Sequence, residues 1–363
     1  MLGGQSPEAK GHINALFAFD VGHEVSLDKL AALTPATPAQ PLSQRKRAPA
    51  WMQYARPPHV VDLGAAPPLA GQPGRLHATV YDFGAISLAF RWPLQTTIDA
   101  LPELSVTLHQ ANLETQARAR LDTLLTTIRT AITRPETAPL VEDYFLFVIE
   151  EIAGIAPVNT AQLLATHGGA LARTLQFDTA ALSAQQQAET LSRQVSYYEH
   201  DLALIDWNAA IVIDHDYEDT VAVLEFLNVE LLEARYVDAQ LDRRIRDYAR
   251  LVRERGGWLI PLHNPYKKII HELAELRAES SLLAERVDNS LKLIGDQYLS
   301  RIHNAATERF YLPEWERAIT RKLDIIEDFY DVLNDRVHTA QSQTLEIIVV
   351  ILILIEIVMG LSH

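Results

Sequence analysis

Residues 207–232 read WNAAIVIDHDYEDTVAVLEFLNVELL and mark a change of structure along the chain. Trp207 to Asp214 is a short run of apolar and β-branched residues, which is typical of a buried strand. After Glu218 the apolar residues recur every three or four positions, which is the spacing of an amphipathic helix. We therefore predict an α/β part before this point and an all-helical part after it.

The residues before Trp207 alternate between strand and helix patterns. Strand patterns cover 12–20, 76–90 and 143–151, and helical spacing covers 26–33, 96–132 and 187–199. Nine of the eighteen prolines fall in 34–75, so we predict a surface loop or insertion there. The expected fold class is α+β, with an N-terminal α/β head (1–215) that contains a small mixed sheet.

The second half is predicted to be a helical domain, 216–344. From Leu273 to Tyr298, apolar or small residues repeat at alternating spacings of three and four, which is a heptad pattern. A final helix begins at Pro313. We expect these two helices to pair as a long antiparallel coiled-coil hairpin that mediates self-association.

The C-terminal stretch 345–361, LEIIVVILILIEIVMGL, is almost entirely apolar. About seventeen helical residues rise about 26 Å, against roughly 30 Å for a bilayer core. We expect a transmembrane tail anchor in a bacterial inner membrane, with the head in the cytoplasm. The residues expected to contact lipid are Leu345, Glu346, Ile347, Ile351, Ile355, Glu356 and Leu361. The alternative is a helix buried in an oligomer.

The composition excludes several function classes. There are 32 lysines and arginines against 47 acidic residues, for a net charge of −15, so we expect no specific DNA binding. One basic cluster (Arg45, Lys46, Arg47 and Arg56) has the charge to contact ribosomal RNA or anionic lipid, or it is a solvated loop. The absence of cysteine excludes disulfides, thiolate metal sites and cysteine nucleophiles. The first ten residues lack the features of a secretion signal.

Catalytic patterns are incomplete. The kinase triplet Asp82-Phe83-Gly84 has no phosphate loop or catalytic loop beside it, and His271-Glu272 lacks the second histidine of a zinc helix. We therefore expect no enzymatic activity, no cofactor and no metal. One alternative is a metal-dependent hydrolase that uses Asp214, His215 and Asp216. Glu150-Glu151 also offers paired carboxylates.

Several segments resemble a known family. They are Glu285 to Asp288 (ERVD), Leu291 to Leu299 (LKLIGDQYL), Arg321 to Leu323 (RKL), Leu345 to Ile348 (LEII) and Tyr81 to Leu88 (YDFGAISL). They are similar to segments of the required-for-meiotic-nuclear-division (YagE-like) family, also called domain of unknown function 155. The resemblance implies an α/β domain, a helical hairpin and a C-terminal membrane helix.

The resemblance also implies a function. Mitochondrial members of that family support translation at the inner membrane by holding ribosomes there. This chain lacks a transit peptide and carries an unusual proline-rich stretch, which favours a bacterial member. We accordingly expect a non-enzymatic, membrane-anchored scaffold that forms a homo-oligomer and recruits a protein or ribosome partner. Expected assembly or partner contacts in the hairpin are Glu285, Asp288, Asp296 and Tyr298.

Overall fold

The computed structural model describes residues 6–34, 52–54, 56–153, 159–254, 271, 274, 291–293 and 297–361. Two compact units make up the chain. The first comprises Met1–Glu233 with Arg286–Pro313, and the second comprises Ala234–Glu285 with Glu314–His363.

The strands and helices follow one another in a mixed order. The strands are β1 (Glu8–Asp20), β2 (Gly22–Val25), β3 (Met52–Tyr54), β4 (His59–Leu69), β5 (Gln72–Val80), β6 (Ala85–Thr97), β7 (Ile132–Pro135), β8 (Glu142–Ile152), β9 (Gln194–Val195), β10 (Leu202–Ile205), β11 (Ala209–Ile213) and β12 (Leu291–Leu293). The helices are α1 (Leu27–Leu33), α2 (Leu101–His109), α3 (Leu113–Ile128), α4 (Thr160–Leu175), α5 (Ala184–Thr190), α6 (Glu218–Glu254), α7 (Gln297–Arg309) and α8 (Leu312–Leu361).

One eight-stranded mixed sheet organises the first unit, in the order β4-β5-β6-β1-β8-β11-β10-β9. The paired neighbours are antiparallel except β8 and β11, which run parallel. Two further ladders join β2 to β7 and β3 to β12. The carboxyl ends of this parallel pair lie toward the same edge of the sheet.

A large hydrophobic core lies on one face of this sheet. Side chains alternate between faces along a strand, and Ile13, Ala15, Phe17 and Phe19 of β1 all belong to the core. Helices α1 to α4 cover this face. Their buried core side chains include Leu30, Leu101, Leu108, Leu113, Leu121, Leu124, Leu163 and Leu171.

The first part of α6, residues 218–233, covers the opposite face. The ring of Tyr217, just before the helix, lies 4.6 Å from that of His12, and the Glu233 carboxyl interacts with Asp20 at the far end of β1. Eight strand residues span about 26 Å and sixteen helical residues about 24 Å. Helix α6 therefore runs along β1 in the same direction, and its N-terminus lies near the start of β1.

The predicted small sheet is wrong, because the sheet has eight strands. The predicted loop at 34–75 is wrong for residues 59–75, which belong to the β4–β5 hairpin, whereas 35–51 lie outside the described residues. Pro67 and Pro68 fall where the pairing shifts between Ala66 and Leu69. Strand β4 is at the edge of the sheet, and edge strands tolerate prolines.

The second unit contains the remainder of α6 and most of α8. Lys322 of α8 lies 2.7 Å from the Asp238 carboxylate and 2.6 Å from that of Asp242 on α6. Leu241, Ile326 and Leu333 are buried in this unit. The predicted heptad helix does not continue to Tyr298, because Leu291–Leu293 form β12. A heptad-like spacing of leucines does not prevent local strand pairing.

The predicted transmembrane anchor is wrong, and with it the inner-membrane location. Residues 345–361 continue α8, and Ile351, Ile355 and most of their neighbours are exposed. Within the part of the chain that the structure describes, no helix has the length and apolar character needed to cross a bilayer. The apolar run is only about 26 Å long, and Glu346 and Glu356 lie within it.

Candidate functional site: a polar row across the sheet

Two acidic residues meet at the carboxyl ends of the parallel strands. Ile149 of β8 pairs with Ile213 of β11, so the next residues along the chain, Glu150 in β8 and Asp214 just after β11, lie side by side. The Asp214 backbone N–H donates to the Ile149 carbonyl at 3.2 Å, which fixes this arrangement. In open α/β sheets, ligands bind at this end of parallel strands.

Strands β1 and β6 add a histidine and an arginine to the same edge. The Nδ1 atom of His12 lies 3.0 Å from the Glu150 Oε1 atom. The NH2 atom of Arg91 lies 3.2 Å from the same Nδ1. The imidazole therefore sits between an acidic and a basic side chain that come from the two neighbouring strands.

Tyr217, which directly precedes α6, packs against His12 and Arg91. Its hydroxyl accepts a hydrogen bond from the Arg91 NH2 group at 3.0 Å. Its ring lies 4.6 Å from the His12 ring, and the Arg91 guanidinium carbon lies 5.9 Å from the ring centre. A cation over a tyrosine face is an attractive contact, so Tyr217 orients both side chains.

The surroundings of His12 keep it uncharged. Burial and then the Arg91 charge lower the pKa of His12 to about 3. Glu150 opposes this only weakly, because 39% of its side chain is exposed and water screens its charge. A neutral Nδ1 either donates to Glu150 or accepts from Arg91. In both cases, the neutral imidazole lies between the Glu150 and Arg91 side chains and hydrogen-bonds one of them.

Asp214 also lies beside a second carboxylate, that of Asp201, which directly precedes β10. Leu202 pairs with Ile213, so Asp201 and Asp214 are neighbours across β10 and β11. The Asp201 carboxylate accepts the backbone N–H groups of Tyr197 at 2.6 Å and Tyr198 at 3.0 Å. Burial, followed by the Asp201 charge, raises the pKa of Asp214.

Tyr298 joins this acidic pair from the first turn of α7. Burial, together with the charges of Asp201 and Asp214, raises the pKa of the Tyr298 hydroxyl. Its ring centre lies 6.4 Å from that of Tyr197. The structure thus brings two sequence candidates, Asp214 and Tyr298, into one place.

Five side chains from adjacent strands form what we call the polar row. In sheet order they are Arg91 (β6), His12 (β1), Glu150 (β8), Asp214 (after β11) and Asp201 (before β10). Four strand intervals amount to about 19 Å. The row is basic at the Arg91 end and acidic at the Asp201 end, and the N-terminal turns of α6 and α7 lie beside it.

The other residues singled out in the sequence have different positions. Glu285, Asp288 and Asp296 lie outside the described residues, as do Arg45, Lys46 and Arg47. Arg56 lies 4.0 Å from Glu24 and 3.9 Å from Asp82. His215, Asp216 and Glu151 are exposed. Among the described residues, no three histidine, aspartate or glutamate side chains come together as metal ligands.

Sequence reasoning missed His12, Arg91, Tyr217 and Asp201. His12 and Asn14 are polar residues on a strand whose other positions are almost all apolar, and both are buried. That interruption was the available signal, because a buried polar side chain needs a partner. The identity of the partner was not readable, since Arg91 is 79 residues away from His12.

Comparison with known proteins places the chain in an uncharacterised family. The family model described as "Uncharacterized protein MJ0711, N-terminal domain" matches residues 10–220, so the chain belongs to this family. Uncharacterized protein MJ0711 of Methanocaldococcus jannaschii is 27% identical over 176 residues, which cover 48% of this chain and 53% of that protein. The chain thus spans about half the length of this relative. No solved structure matches.

The predicted YagE-like family is therefore wrong. The matched segment ends at residue 220, whereas most of the residues that carried the resemblance lie from Glu285 onward. Those segments are short and rich in apolar and charged residues. Such patterns recur in many unrelated helices, so they have little power to identify a family.

Proposed function

We propose that this member of the MJ0711 N-terminal domain family is a non-enzymatic recognition protein that binds a partner through the polar row. The observation that carries the proposal is the state of His12, a buried side chain held between Glu150 and Arg91. An efficient proton-transfer group has a pKa near the working pH. A pKa of about 3 keeps His12 neutral, which suits positioning and hydrogen bonding.

The charges on either side of His12 support recognition. Arg91 is exposed and Glu150 is partly exposed, and both are held by contacts with the His12 imidazole between them. Opposite charges at fixed positions favour a partner surface with the complementary arrangement and disfavour others. Because the supporting strands are rigid, little side-chain freedom is lost on binding.

A charge-reversal experiment tests this proposal. Tagged full-length protein is cross-linked in a cell lysate, and the captured proteins are identified by mass spectrometry for wild type, Arg91→Glu and Arg129→Glu. Arg129, in the turn after α3, is exposed and serves as the matched control. We expect one partner to be captured by wild type and Arg129→Glu and to fall at least tenfold with Arg91→Glu. Equal capture by both variants would overturn the proposal.

The same experiment addresses the partners expected from the sequence. Self-association and binding to a ribosome or another protein remain proposals. A second copy of the chain, a ribosomal protein and an unrelated protein give different cross-linked peptides. A cross-link between Arg91-proximal peptides of two copies would identify the chain itself as the partner.

One observation favours the hydrolase alternative. Perturbed carboxyl groups cluster at catalytic sites, and the pKa of Asp214 is raised beside Asp201. Asp214 also accepts the Asp216 backbone N–H at 2.8 Å, which holds the Asp214-His215-Asp216 turn. Assays with chromogenic phosphate and carboxyl esters, with and without Mn²⁺, test this alternative. Turnover that is lost in His215→Ala would support it over recognition.

A further inference from the structure

We propose that the acidic end of the polar row, together with three tyrosines, binds an alkylammonium group, such as a lysine side chain of the partner. The site consists of Tyr197, Tyr198, Tyr298, Asp201 and Asp214, and we call it the aromatic corner. The inference names the chemistry of the partner that is proposed above, and in that sense it rests on the proposed function.

The ring of Tyr197 packs against those of Tyr198 and Tyr298. The centres of Tyr197 and Tyr198 are 4.8 Å apart with an angle of 78° between the ring planes. Tyr197 and Tyr298 are 6.4 Å apart with an angle of 77°. His200 stacks on Tyr198 at 5.3 Å and 8°, which fixes the orientation of that ring. Edge-to-face packing fixes the ring orientations, and exposed aromatic faces attract organic cations.

Two of these rings remain exposed. Tyr197 is 55% and Tyr198 59% exposed, although neighbouring side chains hold both in place. Tyrosine is enriched at recognition sites because it offers a large, rigid contact area with a polar tip. An ordered and exposed tyrosine pair beside two carboxylates is therefore suited to contact a ligand.

The carboxylates supply the charge that a cation needs. Asp201 is 4% exposed and Asp214 is partly buried, and burial, followed by the Asp201 charge, raises the pKa of Asp214. Within the described ranges, no lysine or arginine forms an ion pair with either carboxylate. The nearby Arg301 donates instead to the Ser196 backbone carbonyl at 3.0 Å. A bound cation would relieve the repulsion.

A buried hydroxyl helps to position Tyr298. Thr220, in the first turn of α6, is fully buried, and its side chain is a hydrogen-bond partner of the Tyr298 hydroxyl. This contact attaches the third ring of the aromatic corner to α6.

The surroundings favour an organic cation over a metal ion. The aromatic corner contributes two carboxylates, and no group of three metal-ligating side chains forms in the described part of the chain. Aromatic faces attract weakly hydrated organic cations, whereas Mg²⁺ and Ca²⁺ need several oxygen ligands. The alkyl chain of a lysine would also cover the exposed tyrosine faces.

A pair of isosteric probes tests the inference. Full-length protein is titrated with choline and with 3,3-dimethylbutan-1-ol, in which carbon replaces the charged nitrogen, and binding is followed by tyrosine-ring NMR shifts. We expect choline to bind at least five times more tightly than the alcohol. A lysine derivative, N-acetyl-lysine methylamide, should shift the same tyrosine signals. Equal binding of choline and the alcohol, or no shifts with choline, would overturn the inference.

Variants locate the binding. Tyr198→Ala removes one ring and Asp214→Asn removes one charge, and each should weaken choline binding at least fivefold. Tyr311→Ala is the matched control, because Tyr311 is 50% exposed and packs against Trp207 at 5.6 Å. It should bind choline as wild type does. Unchanged binding by Tyr198→Ala, with its fold verified by circular dichroism, would place the cation elsewhere and overturn the inference.

The two proposals fail in different ways. If choline does not bind and Arg91→Glu still abolishes partner capture, the aromatic corner is wrong and recognition stands. If choline binds as predicted and Arg91→Glu leaves partner capture unchanged, the proposed recognition function is wrong and the cation site stands.

Discussion

The guanidinium group of Arg309 holds the carboxylate of Asp206, only 2% of which is exposed. The Arg309 Nε donates to Oδ1 at 2.7 Å, and NH2 contacts the same oxygen. The other Asp206 oxygen accepts from Gln176, and Arg309 NH1 donates to Glu189 at 3.0 Å. These bonds attach α7 to the turn between β10 and β11, and so they help to position Tyr298 in the aromatic corner.

Replacing Arg309 tests the stabilising role of this pair. Arg309→Met should reduce the free energy of unfolding by about 3 kcal/mol, because it leaves the Asp206 charge buried without its cation. Arg193→Met is the matched control, since its 3.0 Å pair with Glu308 is half exposed on both sides. Arg193→Met should reduce the free energy of unfolding by less than about 1 kcal/mol. Urea unfolding measures both, and equal losses would contradict the prediction.

The buried carboxyl groups of Asp20 and Glu233 should contribute a loss of stability as the pH rises through the neutral range. Burial raises the pKa of Asp20 to about 7 and that of Glu233 above its usual value. Such a carboxyl has a higher pKa in the folded protein than in the unfolded chain. It costs no stability below its unfolded pKa near 4, and stability is lost as the pH rises through the folded pKa. Glu233→Gln should therefore raise Tm at pH 8 by about 4 °C, and its advantage over wild type should grow between pH 4 and 8.

The control for this pH dependence is Asp122→Asn. Asp122 is exposed on α3, so its replacement should leave the Tm profile unchanged. Thermal unfolding by circular dichroism across the range gives both profiles. A wild-type Tm that rises between pH 4 and 8 more steeply than that of Glu233→Gln would show that the buried pair is charged and stabilised, contrary to the prediction.

His12 should not take up a proton at physiological pH. Burial and Arg91 lower its pKa to about 3, whereas an ordinary histidine titrates near 6.5. The His12 ring signal, assigned by comparison with His12→Gln, should stay constant in NMR spectra from pH 8 to 5. Since the unfolded chain binds that proton first, His12 contributes to acid destabilisation below about pH 6.5. A midpoint above pH 6 would refute this description of the polar row.

The turn between β5 and β6 depends on glycine. Gly84 has φ +103°, and a Cβ atom there would lie 1.8 Å from the Gly22 carbonyl oxygen. Gly84→Ala should therefore destabilise the protein by at least about 3 kcal/mol. Gly71→Ala has a similar φ of +81° in open space and should cost about 1 kcal/mol. Similar urea midpoints for the two variants would contradict the role of the close approach.

Local elements were largely predictable from the sequence. Strands β1, β8 and β11, the break between α2 and α3, and the start of α6 all follow the predicted patterns. In these elements, the spacing of the apolar residues directly indicates which side chains are buried. Strands β4 and β10 and helix α4 were missed. Strand β4 carries prolines at a sheet edge, and β10, with the sequence LALI, is too short to show a period.

The candidate site was only partly predictable. Asp214 was selected because it follows a strand, and Tyr298 because it ends a heptad pattern. Their shared position depends on α7 packing beside β10, which no local pattern encodes. At residues 345–361, a strongly apolar run led to the wrong prediction of a membrane anchor. Whether a helix can cross a bilayer depends on its length and charge as well as on its apolar residues.

The sequence by itself determined which segments become strands or helices and which chemical groups are absent, because periodicity and composition act locally. Only the tertiary structure decided that His12, Arg91 and Tyr217 meet, although 126 residues separate Arg91 from Tyr217. The physical reason is strand register: the pairing of β6, β1, β8 and β11 places Arg91 opposite Asn14 and His12 opposite Val148, so that side chains two residues apart in register come within reach of one another. A hydrophobic pattern specifies the face of a strand, and the pairing of strands specifies its neighbours.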